Sequence, residues 1–185
     1  MRRLLCLLFL MLPAVAAAAP WRLDPATTVA VDVPWQGQTV TVRFPPPTGS
    51  VDFDPERPQT AKASVTVSAK GATTGVGLID TLVRSDGYLD AGRFPDMTFR
   101  LDRLTPTSKQ TATVAGRMTM RGVTRPVSFD AKVTRYGPAA DDPGRFDAGF
   151  DLAGSIDRTA FGSTAGLPDV PALLPVRIRL LMRSE

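Results

Sequence analysis

Along most of the chain apolar residues return at every second position, with Thr, Ser, Asp and Arg filling the gaps. That period belongs to a strand with one face in a core and the other in water, not to a helix. Val29, Val31 and Val33 form one such set, Val40, Val42 and Phe44 the next, followed by Val51 and Phe53, then by Ala63, Val65, Val67 and Ala69. Met97, Phe99 and Leu101 lead to Ala112, Val114, Gly116, Met118 and Met120, and these to Val127, Phe129, Ala131 and Val133. Two longer sets finish the chain, one running from Phe146 to Ile156 and one from Val176 to Met182. Between the sets stand Pro45-Pro46-Pro47, Asp54-Pro55, Thr105-Pro106, Arg121-Gly122, Tyr136-Gly137-Pro138 and Asp142-Pro143-Gly144, all poor continuations of a strand. Short connections predict antiparallel neighbours. One stretch, from about Gly75 to Ser85, predicts a short helix capped by Thr73 or Thr74 and anchored by Leu78, Ile79, Leu82 and Val83.

Many strands at similar spacing with little helix give a sandwich or a closed barrel. More than half of the residues on the apolar faces are Val, Ala or Gly, and none is Trp. A barrel of about eight strands is just wide enough to be filled by its own side chains or to hold one small ligand. Small lining residues favour the second outcome.

The amino terminus carries a different pattern. Arg2 and Arg3 precede an apolar run from Leu4 to Leu12, then Pro13 and the small residues Ala14 to Ala19. Charged, apolar, small is the order of a secretory signal peptide, and the run covers less than half of the ~20 residues that a membrane-crossing helix needs. The expectation is a cleaved signal over residues 1–18, cut after Ala18 because a following proline disfavours the cut after Ala19. One domain, residues 19–185, then remains, long enough to bury a core without disulfides. Cys6, the single cysteine, lies inside the apolar run and leaves with it, and histidine is absent from the whole chain. Disulfides, thiolate metal sites and imidazole chemistry are thereby excluded together. A formal net charge of +4, partly due to Arg2 and Arg3, does not call for nucleic acid, and no aromatics suited to base stacking are interleaved with the basic residues.

Candidate chemistry is sparse. The serines have no histidine base, and neither a G-x-S-x-G elbow nor a Ser-x-x-Lys pair occurs, so the common hydrolases are excluded. Gly71 to Gly77 precedes the predicted helix and offers amides to a phosphate, but it lacks the Gly-Lys-Ser/Thr ending of a P-loop and reads better as a plain turn. Asp52, Asp54 and Glu56 alternate like calcium ligands, yet Arg57 and Ala63 stand where an EF-hand loop needs Gly and Glu, so no metal site is assigned. Asp141 and Asp142 fall in a Pro/Gly-rich loop as solvating groups. Arg117, Arg121, Arg177 and Arg179 alternate with the inward sets and are expected to face out, where peripheral contact with an anionic membrane surface competes with simple solvation.

Several segments resemble the YceI-like family. Trp21-Arg22-Leu23-Asp24-Pro25 is similar to its opening, Gly49 to Pro55 to its first hairpin strand and turn, and Leu82 to Asp90 with Phe94 to Phe99 to its central segment. Gly116 to Val127 follows its G-x-L-T-x-x-G-V-T-x-P-V signature, and Gly154 to Gly162 its G-x-x-x-R-x-x-F-G element. The resemblance implies an all-β, antiparallel, lipocalin-like β-barrel with one short helix segment, exported to the periplasm. It further implies a non-catalytic binder whose ligand is an isoprenoid lipid, a polyprenyl phosphate or an isoprenoid quinone, with the tail inside the barrel and the polar head near its mouth. No cofactor is implied, and a monomer and a homodimer both fit. Val65, Val67, Phe99, Val114, Met118 and Phe129 are the expected tail contacts; Arg84 and Arg158 are the candidates for a polar role at the barrel end, with an ion pair to a nearby carboxylate as the structural alternative for Arg158. The family commonly carries histidines where this chain has Thr27 and Thr81, which implies a weakened polar contact to the ligand head. Two rivals stand beside this reading: a filled barrel whose outer face binds another protein, and an enzyme acting on a bound lipid.

Overall fold

The computed structural model describes residues 19–185, so the expected signal segment and Cys6 lie outside the described residues. The described residues form ten strand segments, nine following the alternating sets and the first additional to them: β1 (Ala19–Leu23), β2 (Thr28–Trp35), β3 (Gln38–Phe44), β4 (Thr48–Phe53), β5 (Lys62–Ser68), β6 (Asp96–Pro106), β7 (Thr111–Met120), β8 (Val123–Pro138), β9 (Phe146–Asp157) and β10 (Leu173–Ser184). All pairings are antiparallel, and β1–β4–β5–β6–β7–β8–β9–β10 closes through β1 and β10 into an eight-stranded barrel.

The remaining two segments extend the wall. β2 continues β1 along β10, and β3 leads into β4 across the three prolines. At the break between β1 and β2 the Thr27 hydroxyl accepts from Leu181 N (3.0 Å) and donates to Leu181 O (2.9 Å). A side chain thus replaces the ladder bonds that the interrupted backbone cannot make. The outer edge of β3 is different: among the described residues its backbone pairing beyond β2 is a single bridge between Arg43 and Thr73.

Two turns differ from their expected places. β6 runs through Thr105-Pro106, and β8 runs through Tyr136-Gly137-Pro138. Each strand carries a register shift, between Leu101 and Arg103 in one and between Val133 and Arg135 in the other, and in each the proline is the last residue of the strand, where a missing N–H is tolerated. The shifts move Leu104 and Tyr136 onto the inward face. The β7–β8 connection is the tight turn expected at Arg121-Gly122, both residues having positive φ. Arg121 holds that conformation while its Nη1 donates to the carbonyls of Asp86 (2.5 Å) and Tyr88 (2.9 Å).

The short helix α1 spans Gly77–Arg84 within the long β5–β6 connection. Its expected threonine cap is absent: Val76 occupies the capping position with no side-chain bond. Thr73 and Thr74 instead donate their hydroxyls to the Asp80 carboxylate (2.7 Å each), which also accepts from Thr74 N (2.5 Å). A carboxylate therefore already occupies Thr74 N, and the hydroxyls of Thr73 and Thr74 accept from Gly75 N and Val76 N, so these three amides of the glycine-rich turn are taken within the turn itself. These three hydrogen bonds, the backbone one foremost, hold the Asp80 carboxyl at about 2, below the ordinary value of 3.8. Because the folded value is the lower one, the stabilisation is complete above the ordinary value and is lost as pH falls towards 2. The protection of the Thr74 amide relative to its intrinsic exchange rate is therefore expected to fall across that acid window in the natural chain, and to show no such pH step in Asp80→Asn.

Candidate functional site

The inward faces enclose a cavity of about 750 Å³ that runs the length of the barrel. Ligand cavities commonly span about 300–1,000 Å³, whereas a filled eight-stranded barrel leaves no such space. Val65, Val67, Phe99, Val114, Met118 and Phe129, the six expected tail contacts, all line it. Val, Leu, Ile, Met and Phe side chains from β2 to β10 complete most of the wall, so its chemistry is predominantly apolar.

The inward glycines do not widen this space. A Cβ on Gly154 would stand 2.7 Å from the Phe129 ring, and one on Gly116 would run into the Phe99 ring and the Arg100 carbonyl. The two rings lie over the glycines and meet edge to face, centroids 6.2 Å apart. Room comes instead from the valines and alanines, while the glycines let two large rings pack flat against the wall.

The two ends differ. At the end formed by the β4–β5, β6–β7 and β8–β9 connections, Glu56, Lys62, Lys109 and Gln110 line the rim above an aromatic group of Trp21, Phe53 and Phe150. At the other end, the β5–β6 and β9–β10 connections bring Val83, Tyr88, Leu89, Arg158, Ser163 and Val170 to the cavity. None of these except Arg158 follows from strand alternation, because they sit on irregular segments folded over the barrel end. Leu174, by contrast, is legible as one more step of the Val176 set across Pro175.

Arg158 lines the cavity and is only 4% exposed. Its expected ion-pair alternative takes a different form: Nε donates to Pro171 O (2.9 Å), Nη1 to Ser163 O (2.9 Å) and Nη2 to Val170 O (2.6 Å), all backbone carbonyls. Burial lowers its pKa, opposed by Tyr88 and Asp157. Arg84 is not among the lining residues. Its Nε donates to Asp80 O and its Nη1 to Lys70 O, so it ties α1 to the preceding loop. Of the two threonines at expected histidine positions, Thr27 is buried and lines the cavity, whereas Thr81 is exposed and bonds to Gly77 O.

Most of the remaining candidate groups have structural partners. Asp54 accepts from the amides of Glu56 and Arg57 and pairs with the Arg57 guanidinium, forming a surface turn. Arg117, Arg177 and Arg179 pair with Asp102, Asp32 and Asp151 on neighbouring strands, and Arg183 pairs with Asp141 and Asp147. Among the described residues no group of three or more potential metal ligands occurs.

The sequence profile of the YceI-like domain matches residues 21–182. A UPF0312 protein of Pseudomonas fluorescens is 36% identical over 133 residues, covering 69% of this chain and 66% of its own length. Protein YceI of Salmonella arizonae is 32% identical over 120 residues, covering 64% of this chain and 61% of its own length. The chain thus spans slightly under two thirds of the length of these curated relatives. Among solved structures, Burkholderia cenocepacia BcnA superposes with a TM-score of 0.73 at 20% identity, over 88% of this chain and 99% of its own. A polyisoprenoid binding domain from Saccharophagus degradans, implicated in plant cell wall breakdown, superposes with a TM-score of 0.66 at 14% identity, over 91% and 99%. At these identities the superpositions establish the barrel fold.

Proposed function

Because the chain belongs to the YceI-like family and its barrel is hollow, we propose that it is a non-catalytic, periplasmic protein that holds a long-chain polyisoprenoid lipid, with the tail along the barrel axis. The apolar cavity running through the barrel is the observation that carries this reading. A tail buried there gains roughly 25 cal/mol per Å² of apolar surface removed from water, and the gain depends on area rather than on any single group. The proposed ligands are a polyprenyl phosphate or an isoprenoid quinone, and the proposed activity is to store, shield or carry the lipid across an aqueous compartment. The structural likeness to a domain described as polyisoprenoid-binding supports the ligand class. A hollow barrel also removes the premise of the filled-barrel rival. An enzyme acting on the bound lipid would need reactive groups inside, where hydrocarbon predominates.

Mass spectrometry of an organic extract from the purified secreted protein is the direct test. A stoichiometric isoprenoid is the expected result, released from a chain that begins within Ala17 to Pro20 and contains no thiol. Extracts repeatedly free of isoprenoid, together with no uptake of added polyprenyl phosphate or quinone, would sink the proposal.

A further inference from the structure

Among the described residues eight large apolar side chains are exposed, and six of them gather at one end of the barrel. They are Trp35 at the tip of the β2–β3 hairpin, Val76 beside α1, Leu78 and Leu82 on α1, Leu167 in the β9–β10 connection and Leu173 at the start of β10. Antiparallel topology puts all of these segments at the same end. Single exposed leucines are ordinary, but convergence from separate segments marks an interaction surface. The other two, Tyr136 and Phe146, stack on each other at 5.5 Å at the opposite end, whose rim is charged.

The helix shows the arrangement most clearly. Ile79 and Val83 are half-buried and Val83 lines the cavity, while Leu78, 84% exposed, and Leu82 stand one turn apart on the outer face. The patch lies at the cavity end lined by Val83 and Leu174. Cavity-lining Val33 shares a strand face with Trp35, two residues on, and cavity-lining Val83 sits on the inner side of the helix turn whose outer side carries Leu82. Beside α1, above the closed ring of eight strands, the outer edge of β3 makes a single backbone bridge among the described residues, between Arg43 and Thr73, and no full ladder. Exposed apolar side chains and apolar cavity-lining residues therefore lie at the same end of the barrel, next to this seam.

We propose that this end docks on a lipid bilayer surface, with Trp35, Leu78 and Leu82 in the interfacial layer, and that the lipid ligand passes between bilayer and cavity there. The proposal rests on the lipid-binding reading above, which supplies a ligand that resides in bilayers. An amphipathic helix and a tryptophan at the rim are side chains suited to that layer. The paired arginines of the barrel wall do not serve it, so docking is carried by apolar area and persists at high salt on zwitterionic lipid.

The test uses the secreted chain with phosphatidylcholine vesicles in high salt. Trp21 is buried with its N–H on Phe53 O, so a vesicle-dependent change in emission reports on Trp35. A blue shift and quenching by brominated acyl chains are expected, both abolished by Trp35→Phe. Leu78→Gln combined with Leu82→Gln should lower vesicle partitioning by about tenfold or more while leaving uptake of farnesol in vesicle-free buffer unchanged. A chain that takes up farnesol but neither sediments with vesicles nor shifts its emission would overturn docking and leave the lipid-binding reading standing. A chain that takes up no isoprenoid in any form removes both. Vesicle binding unaltered in the double variant would overturn the assignment of this end, and a dimer dispersed by that variant, without vesicle binding, would replace docking by self-association.

Discussion

Replacing Arg158 with methionine is expected to destabilise the protein by about 3 kcal/mol or more, since three carbonyls lose their donors and an unpaired buried acceptor costs roughly 1–3 kcal/mol each. The three carbonyls belong to Ser163, Val170 and Pro171, so one side chain gathers both ends of the segment that returns from β9 to β10. Tyr88, from the other connection, lies under the guanidinium at 5.9 Å. Arg158 thereby fastens together the two irregular segments that fold over this end of the barrel beside the seam. Lysine in its place keeps the charge but not the planar fork, and is expected to recover only part of the loss. Chemical denaturation of the two variants checks this. A methionine variant as stable as the natural chain would show that the carbonyls find other partners, and that the guanidinium is held for another purpose.

Arg158 also shows where reading the sequence reaches its end. Strand faces repeat with a fixed period, so Val65, Val67, Phe99, Val114, Met118 and Phe129 were legible as inward residues before any coordinate was known. What the period cannot carry is a change of phase. The shifts after Leu101 and after Val133 each displace the alternation by one residue, which is why Leu104, beyond the end of its set, and Tyr136, expected in a turn, line the cavity. The closing segments have no period at all. Val83, Leu89 and Val170 reach the cavity through loop geometry fixed by Asp80, Arg121 and Arg158, whose partners are mostly backbone groups far along the chain or hydroxyls of a neighbouring turn. Gly116 and Gly154 illustrate a subtler gap. Their size suggested open space, but size alone does not say whether a neighbour fills it, and the rings of Phe99 and Phe129 do.

Val114 lies where the cavity and those rings meet, and Val114→Phe is expected to shorten the space available to a tail. The residue pairs across the sheet with Leu104 on one side and Phe129 on the other, packs with Phe129, Ala131 and Val176, and faces the lumen. A larger ring there extends into volume that a ligand tail would occupy, so it has room in the ligand-free protein. Each five-carbon unit excluded from the barrel forfeits about 3–4 kcal/mol of burial at ~0.8 kcal/mol per methylene-sized group, which is more than a hundredfold in affinity. Long isoprenoids are therefore expected to bind at least about a hundredfold more weakly. Chains short enough to stop before Val114 should be retained, and the ligand-free melting temperature should change little. A barrel without usable space predicts the reverse: overpacking would cost about 1–3 kcal/mol in the ligand-free state, and binding by the folded fraction would not depend on chain length. Titrating the variant with isoprenoid alcohols of increasing length, beside a thermal melt of the ligand-free protein, separates the two. A strong loss of stability with affinity unaltered at every length would mean that the tail does not run past Val114.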